Sequence, residues 1–431
     1  SGAMDLIGPL KVAPGVSQTA LAVLVVMCAL PPLGAHPGPA AGVVVFATAL
    51  ILVGPDALAR RTPLSAVGDW SYSIYLLHWP MLAFASAATL GQTPLAVRLG
   101  LCACAVGMGA LQYRIVEVPC RHLWRRHAKA LAAGLGGASL VCVVLAYTLL
   151  PSPLPDDAVG PNTGLAAVCD QRGPRARVLE ACVSGPSPNI ALVGDSFAMQ
   201  WAGAFAASDL ALIQLTKSSC APADGLSPVG AGRPQQSARE CATFMADAAG
   251  VVAADPGISH VVIAASWSQL IEHEGAFLAG HDVMPARKEQ LFDAVEAFIK
   301  RVAAGKTVVL LAAPPSTGID TNACHRRRQA GVFTVFPGDC SIDETHAAHH
   351  GHAVDAFVRK VAARTGAVVF SPSSALCEGG RCRTVVGEQP IYADAAHLTT
   401  YGAAFVVAQM DLAAQIEGLS PSPDAPLQEN R

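Results

Sequence analysis

Between Val16 and Leu150 the chain carries five long apolar segments: Val16 to Leu33, Ala40 to Val53, Ser71 to Leu90, Pro94 to Ile115 and Ala130 to Leu150. Runs of about 20 apolar residues match the thickness of a bilayer, so membrane spans are expected, the second being the shortest. Lys11, Arg60, Arg61, Arg121, Arg125, Arg126 and Lys129 fall in alternate loops, while the loops around Pro31 to Pro39 and Gly91 to Thr93 lack Lys and Arg. Basic loops belong in the cytoplasm. After an odd number of spans, everything beyond Pro151 is then expected on the outer face of a cytoplasmic membrane, the periplasm included.

Past Leu150 the character changes. Pro151 to Gly160 is a Pro-rich extended linker, and a short basic collar follows between Cys169 and Cys182. Strands are expected at Asn189 to Val193, Leu210 to Leu215, His260 to Ala265, Thr307 to Ala312 and Ala367 to Phe370. Helices are expected between them, including Ala198 to Ala207, Ala286 to Ala303 and Asp343 to Arg364. That alternation predicts an α/β domain with a parallel sheet between helical layers. The expected organisation is residues 1–150 membrane helices, 151–185 linker and collar, 186–420 the α/β domain, and 421–431 a disordered tail.

The balance of 29 basic against 32 acidic residues offers no electrostatic footprint for nucleic acid. The outer half holds Cys169, Cys182, Cys220, Cys241, Cys324, Cys340, Cys377 and Cys382, an even number that suits disulfides. Pairing each with its next neighbour is the simplest of 105 connectivities. No metal is expected. Cys377 and Cys382 lack a nearby second pair, and His346 with His350 on a predicted helix lack a third ligand.

The chemistry centres on Leu192-Val193-Gly194-Asp195-Ser196-Phe197, where an apolar strand ends on a glycine, an acid and a hydroxyl. Ser196 is placed at a strand-to-helix turn, where a helix N-terminus stabilises developing negative charge. Alone, such a tripeptide also serves as an ordinary helix cap. A distant Ile391-Tyr392-Ala393-Asp394-Ala395-Ala396-His397-Leu398-Thr399 changes the reading. Asp394 and His397 are three apart, so one turn sets a carboxylate beside the imidazole that would deprotonate Ser196.

Two resemblances follow from these residues. Trp70-Ser71-Tyr72-Ser73-Ile74-Tyr75-Leu76-Leu77-His78-Trp79-Pro80, followed by Glu117-Val118-Pro119-Cys120-Arg121, resembles the last helices of the membrane acyltransferase 3 family over roughly residues 10 to 125. It implies acyl movement from cytoplasmic acyl-CoA, such as acetyl-CoA, to outer-face sugars, with no cofactor held by the protein. His78, Trp79, Glu117 and Arg121 match the motifs without an assigned role. The family's catalytic histidine and arginine motif have no counterpart here, His36 being a loop residue, so acyl groups are expected from a further amino-terminal half or a membrane partner.

Gly194-Asp195-Ser196 with Asp394-x-x-His397 resembles the SGNH hydrolases, whose flavodoxin-like, three-layer fold matches the expected sheet. The resemblance makes Ser196 the nucleophile, His397 the base and Asp394 its orienter. Ala265-Ser266-Trp267-Ser268 replaces the usual Gly-x-Asn-Asp and resembles SGNH domains fused to acyltransferase 3 domains, as does Lys217 to Pro222. The oxyanion donors are then expected from the Ser196 amide and one from Ser218 or Ser219. Trp267 has two readings, a sugar-stacking platform or a core residue. The expected function is O-acylation, O-acetylation in particular, of a surface or lipid-linked glycan in contact with membrane lipid. The alternatives are a tethered carbohydrate acetyl esterase and a non-catalytic glycan-binding module.

Overall fold

The computed structural model of the protein describes residues 15–29, 39–53, 63–149, 162–230, 233–271, 276–280, 282–285, 288–316, 318–331, 335 and 340–420. Lys11, His36, Arg60 and Arg61, the linker 151–160 and the tail 421–431 lie outside the described residues. Two compact units are distinguished, one of residues 1–85 with 93–149 and one of 86–92 with 150–431.

The first unit is helical: α1 Val16–Ala29, α2 Pro39–Val53, α3 Pro63–Ala88, α4 Leu95–Gln112 and α5 Val118–Leu149. Among the described residues, two stretches are long and apolar enough to cross a membrane, Leu95–Arg121 at mean hydropathy 1.6 and His127–Leu145 at 1.9. Leu140, Val143 and Val144 are exposed on the second and form an apolar surface. The segment carrying Arg121, Arg125, Arg126 and Lys129 is helical, not the loop expected from its charge. A π-helical turn at Tyr113–Glu117 joins α4 to α5, and His127 at φ −135° marks the break within α5. Arg, Lys, Leu and Ala are strong helix formers, and Pro119 falls in the first turn of α5, where a missing N–H is tolerated.

Within this unit the two motifs meet. Ser73 is fully buried and its hydroxyl donates to Glu117 Oε2 at 2.7 Å, while Arg121 pairs with the other oxygen of Glu117. His78 Nδ1 is within hydrogen-bond distance of the carbonyls of Ile74 and Tyr75 on its own helix, and Trp79 is exposed. The motif residues therefore separate into a Ser73–Glu117–Arg121 cluster and a His78–Trp79 pair further along α3.

The second unit is built on a five-stranded parallel sheet of β1 Ile190–Gly194, β2 Leu212–Thr216, β4 His260–Ala264, β7 Thr307–Leu311 and β9 Val368–Phe370. Their order is β2-β1-β4-β7-β9. All five residues of β1 are buried, because a parallel sheet is covered on both faces and its strands read as continuous apolar runs. Alternate residues serve two cores. Ala191 and Val193 join Val261, Ile263 and Leu310 beneath the helices Gln235–Ala254 and Lys288–Val302. Ile190 and Leu192 join Val262 and Val309 beneath the helices Ser196–Ala207 and Thr400–Gln409.

β2 begins two residues later than its apolar run suggests. Leu210 closes the turn after the helix Ser196–Ala207, its N–H bonded to Phe205 O, and Asp209 at φ +63° reverses the chain before the strand. Besides a two-stranded pairing of Val385–Val386 with Gln389–Pro390, two small three-stranded sheets were not expected from the sequence. One joins β3 Leu226–Val229, β5 Ala276–Ala279 and β6 Asp282–Pro285 in antiparallel order. In the other, β8 Ile342–Asp343 pairs with Arg381–Cys382, which also pairs with Cys377–Glu378 across Gly379 and Gly380. Both glycines lie at positive φ, as a two-residue hairpin turn requires.

Four disulfides join neighbouring cysteines: Cys169–Cys182, Cys220–Cys241, Cys324–Cys340 and Cys377–Cys382. Cys220–Cys241 ties the loop after β2 to the helix Gln235–Ala254 across 21 positions. Closing a loop of that length in the unfolded chain is worth about 3 kcal/mol. Replacing both cysteines with alanine should lower the unfolding free energy of this unit, read from denaturant titrations, by about 3 kcal/mol while leaving the other three bridges intact.

Candidate active site

β1 delivers the site. It lies between β2 and β4, with Gly194 level with Thr216 and Ala264, so the chain leaves the sheet at its carboxyl edge where the strand connections diverge. That crevice is where open α/β sheets bind their ligands. Gly194 at φ +150° makes the turn, and a methyl group there would collide with the carbonyl of Ala264. Asp195 caps the helix Ser196–Ala207, its Oδ1 accepting the Phe197 N–H at 2.9 Å. Its Oδ2 accepts the Ser266 N–H at 2.9 Å, fastening the end of β1 to the loop after β4.

Ser196 Oγ is 2.9 Å from His397 Nε2, and His397 Nδ1 is 2.8 Å from Asp394 Oδ2. The other Asp394 oxygen accepts the N–H groups of Ala396 and His397, both at 2.8 Å, so the carboxylate is fixed by the turn that carries the imidazole. The three-residue spacing works through this local turn. Around it, Ser316 donates to Ala395 O at 2.6 Å, Asn322 to Ala393 O at 3.2 Å, and the buried Tyr392 hydroxyl to Pro315 O at 2.8 Å. Phe197 packs on the His397 ring with centroids 4.6 Å apart.

The electrostatics sort the two acids. Burial pushes Asp195 up to about 6, against the pull of its two backbone donors and of the positive charges of His397 and Arg233. For Asp394, partial burial pushes upward, but the His397 side chain and the two backbone donors outweigh it and hold the carboxyl at about 2. Asp394 is thus ionised throughout the neutral range. His397 is raised above its ordinary value of 6.5, first by the hydrogen bond to Asp394, against burial. An imidazole so placed can take a proton from Ser196 once it is neutral, and the carboxylate stabilises the imidazolium that forms.

The other expected site residues fall differently. Ser218 donates its N–H to Asp170 Oδ1 at 2.8 Å and its hydroxyl to Oδ2 at 3.0 Å. Its amide is therefore taken by the collar and is not the expected oxyanion donor. The physical reason is that the collar runs along β2, with Asp170 bridged to Thr216 and the Gln171 N–H bonded to Thr216 O. Ser219 stands beside it at φ +59°. Trp267 is 1% exposed and packs against Phe357, its indole N–H directed at Leu311 O, so it belongs to the core and not to a sugar platform. Among the described residues no cluster of three or more metal-ligating side chains occurs. His350 lies outside the described side chains.

Sequence reasoning missed Gln200. It lies one turn beyond Ser196 on the same helix, is fully buried, and its Oε1 accepts the N–H of Leu398 at 2.7 Å, directly after His397. A lone amide within an otherwise apolar helix was the available signal. Gln200→Leu should leave that amide unsatisfied at a cost of about 1–3 kcal/mol. Steady-state kinetics should show a fall in kcat with KM little changed, because the registration of base against nucleophile is what is lost.

The fold and the site define an α/β domain with a serine, histidine and aspartate constellation at the carboxyl edge of its sheet. The chain belongs to the family of SGNH domains fused to AT3 domains, whose family model matches residues 168–411. Among solved structures it is similar to the periplasmic domain of a lipopolysaccharide acetyltransferase from Salmonella ser. Paratyphi A. The two share 17% identity at a TM-score of 0.42, covering 58% of this chain and 92% of that one. No curated protein matches the chain significantly.

Proposed function

We propose that this protein is an O-acyltransferase that acetylates a cell-surface or lipid-linked carbohydrate through an acyl-serine on its SGNH domain. The observation that carries the reading is the hydrogen-bonded chain Ser196–His397–Asp394 at the end of β1. His397 takes the Ser196 proton as Oγ attacks the acyl carbonyl, and the donor's leaving group departs with that proton. A sugar hydroxyl then attacks the acyl-serine, passing its proton through His397 back to Ser196 as the ester bond to Ser196 breaks. The Ser196 amide at the helix N-terminus supports an oxyanion site.

The disulfides favour an oxidising compartment, and the apolar helices favour a membrane anchor beside lipid, so we place the SGNH domain on the outer face of the cytoplasmic membrane. Acetyl-CoA is the ultimate acyl source in this account, through acyltransferase 3 helices supplied by a further segment or a partner. This mechanism calls for no cofactor held by the protein. The resemblance of the Ser73–Glu117–Arg121 region to that family supports the arrangement. The test is the fate of the acyl group. Full-length protein in detergent, given an activated acetyl ester and a glycan acceptor, should place acetyl on sugar at the expense of free acetate. Acetate release undiminished by acceptor would identify a tethered esterase instead.

A further inference from the structure

A cavity of about 450 Å³ opens beside the triad at the carboxyl ends of β7 and β9. Its walls include Phe197 and Ala396, the chain neighbours of Ser196 and His397, together with Pro315 from the loop after β7. Across from these, Glu344, Asp355 and Arg359 line it from the helix Glu344–Thr365. Asp355 and Arg359 are one turn apart, on the same helix face. The volume falls within the roughly 300–1,000 Å³ of small-molecule sites, too small for a folded partner and suited to one end or branch of a glycan.

The lining matches the two surfaces of a sugar. Proline, phenylalanine and alanine offer flat apolar contact for ring C–H faces, while carboxylates accept from hydroxyls and a guanidinium donates to them in charge-assisted bonds. Two carboxylates against one guanidinium leave an excess negative charge. That excess opposes uronates, sialates and phosphates, a repulsive element of the kind that sets specificity. A second cavity of about 310 Å³ lies towards the collar and includes Lys217 and Ser218. There the Lys217 ammonium already donates to the carbonyls of Gln171, Arg172 and Gly173, and Ser218 is held by Asp170.

We infer that the cavity bounded by Phe197, Ala396, Pro315, Glu344, Asp355 and Arg359 is the acceptor subsite and takes an uncharged sugar residue. The inference rests on the proposed carbohydrate acyltransferase reading, and the experiment separates the two. Full-length Ser196→Ala protein in detergent is applied to an array of neutral hexose and deoxyhexose oligosaccharides printed beside their uronate-containing counterparts. Retention of neutral glycans is expected, weakened about ten-fold or more by adding Asp355→Ala or Arg359→Ala. In parallel, the same two substitutions in the Ser196 background should leave hydrolysis of a small activated acetyl ester within about two-fold. The subsite is overturned if uronate glycans are preferred, if no neutral glycan is retained, or if neutral retention persists in both variants. It is likewise overturned if ester hydrolysis falls in step with retention. Ester hydrolysis that survives Ser196→Ala would instead overturn the catalytic reading, leaving a glycan-binding cavity standing.

Discussion

Ser196→Ala should reduce acetyl transfer by roughly 10⁴-fold or more while leaving the thermal unfolding profile nearly unchanged, as loss of the nucleophile does in serine enzymes of unrelated fold. The size follows from the site. Ser196 Oγ is within 2.9 Å of His397 Nε2, and removing it deletes the atom that would carry the acyl group. The fold should tolerate the change, because the turn is held by Gly194 and by the two bonds Asp195 makes to Phe197 and Ser266, none of which uses the Ser196 hydroxyl. Glycan retention by the variant should persist. Rates with a soluble acetyl ester and a calorimetric scan on the same preparation check both halves of the statement.

Asp394→Asn should lower kcat by about 10²–10⁴-fold and move the acid limb of the pH profile to lower pH. The sign follows from His397. Its pKa lies above 6.5 chiefly because of its hydrogen bond to Asp394, and the base must be neutral to accept a proton, so activity should rise with pH as His397 deprotonates. Without the carboxylate the imidazole loses its largest support for the charged form, and the limb shifts downward even as the plateau falls.

Stability carries its own signs. Asp394, depressed to about 2 in the fold, stabilises above its unfolded value of 3.8 and loses that contribution as pH falls towards 2. His397, raised, stabilises below 6.5 and loses that contribution as pH climbs through its folded value. Asp195, raised to about 6 by burial, acts in the opposite sense to Asp394, so the native state loses stability as pH rises from 3.8 through 6. Unfolding free energies of the parent protein and Asp394→Asn measured between pH 2 and pH 8 would isolate the Asp394 contribution as the difference that fades below pH 3.8.

The parts of the molecule that were legible in the sequence are those set by local rules. Asn189 to Val193 reads as a buried strand because Ile190 to Val193 are all apolar, and Gly194 announces the turn because no larger residue fits against Ala264. Asp394 and His397 could be paired from their spacing because the contact closes within a single turn. The rest depends on the encounter of distant segments. Nothing near Ser218 says that Asp170 arrives from the collar to take its amide, and nothing near Trp267 says that Phe357 and Leu311 enclose it. The helical segment around Arg121 was obscured by its charge, which suits a cytoplasmic loop and a helix equally well. The paired strands β3, β5 and β6 are short and weakly patterned, so their contacts come from tertiary packing and not from periodicity.

The central claim is that Ser196 carries an acyl group between donor and sugar. Intact-mass and peptide mass spectrometry of the full-length His397→Ala protein, quenched after exposure to an activated acetyl ester, tests it directly. Without the base, turnover of the acyl-enzyme slows more than its formation from a reactive ester. One acetyl group should therefore accumulate on the peptide containing Ser196 and be absent from the Ser196→Ala, His397→Ala double variant. An adduct on another residue, or acetyl transfer to glycan by wild-type protein with no adduct at Ser196 at any time point, would contradict the account.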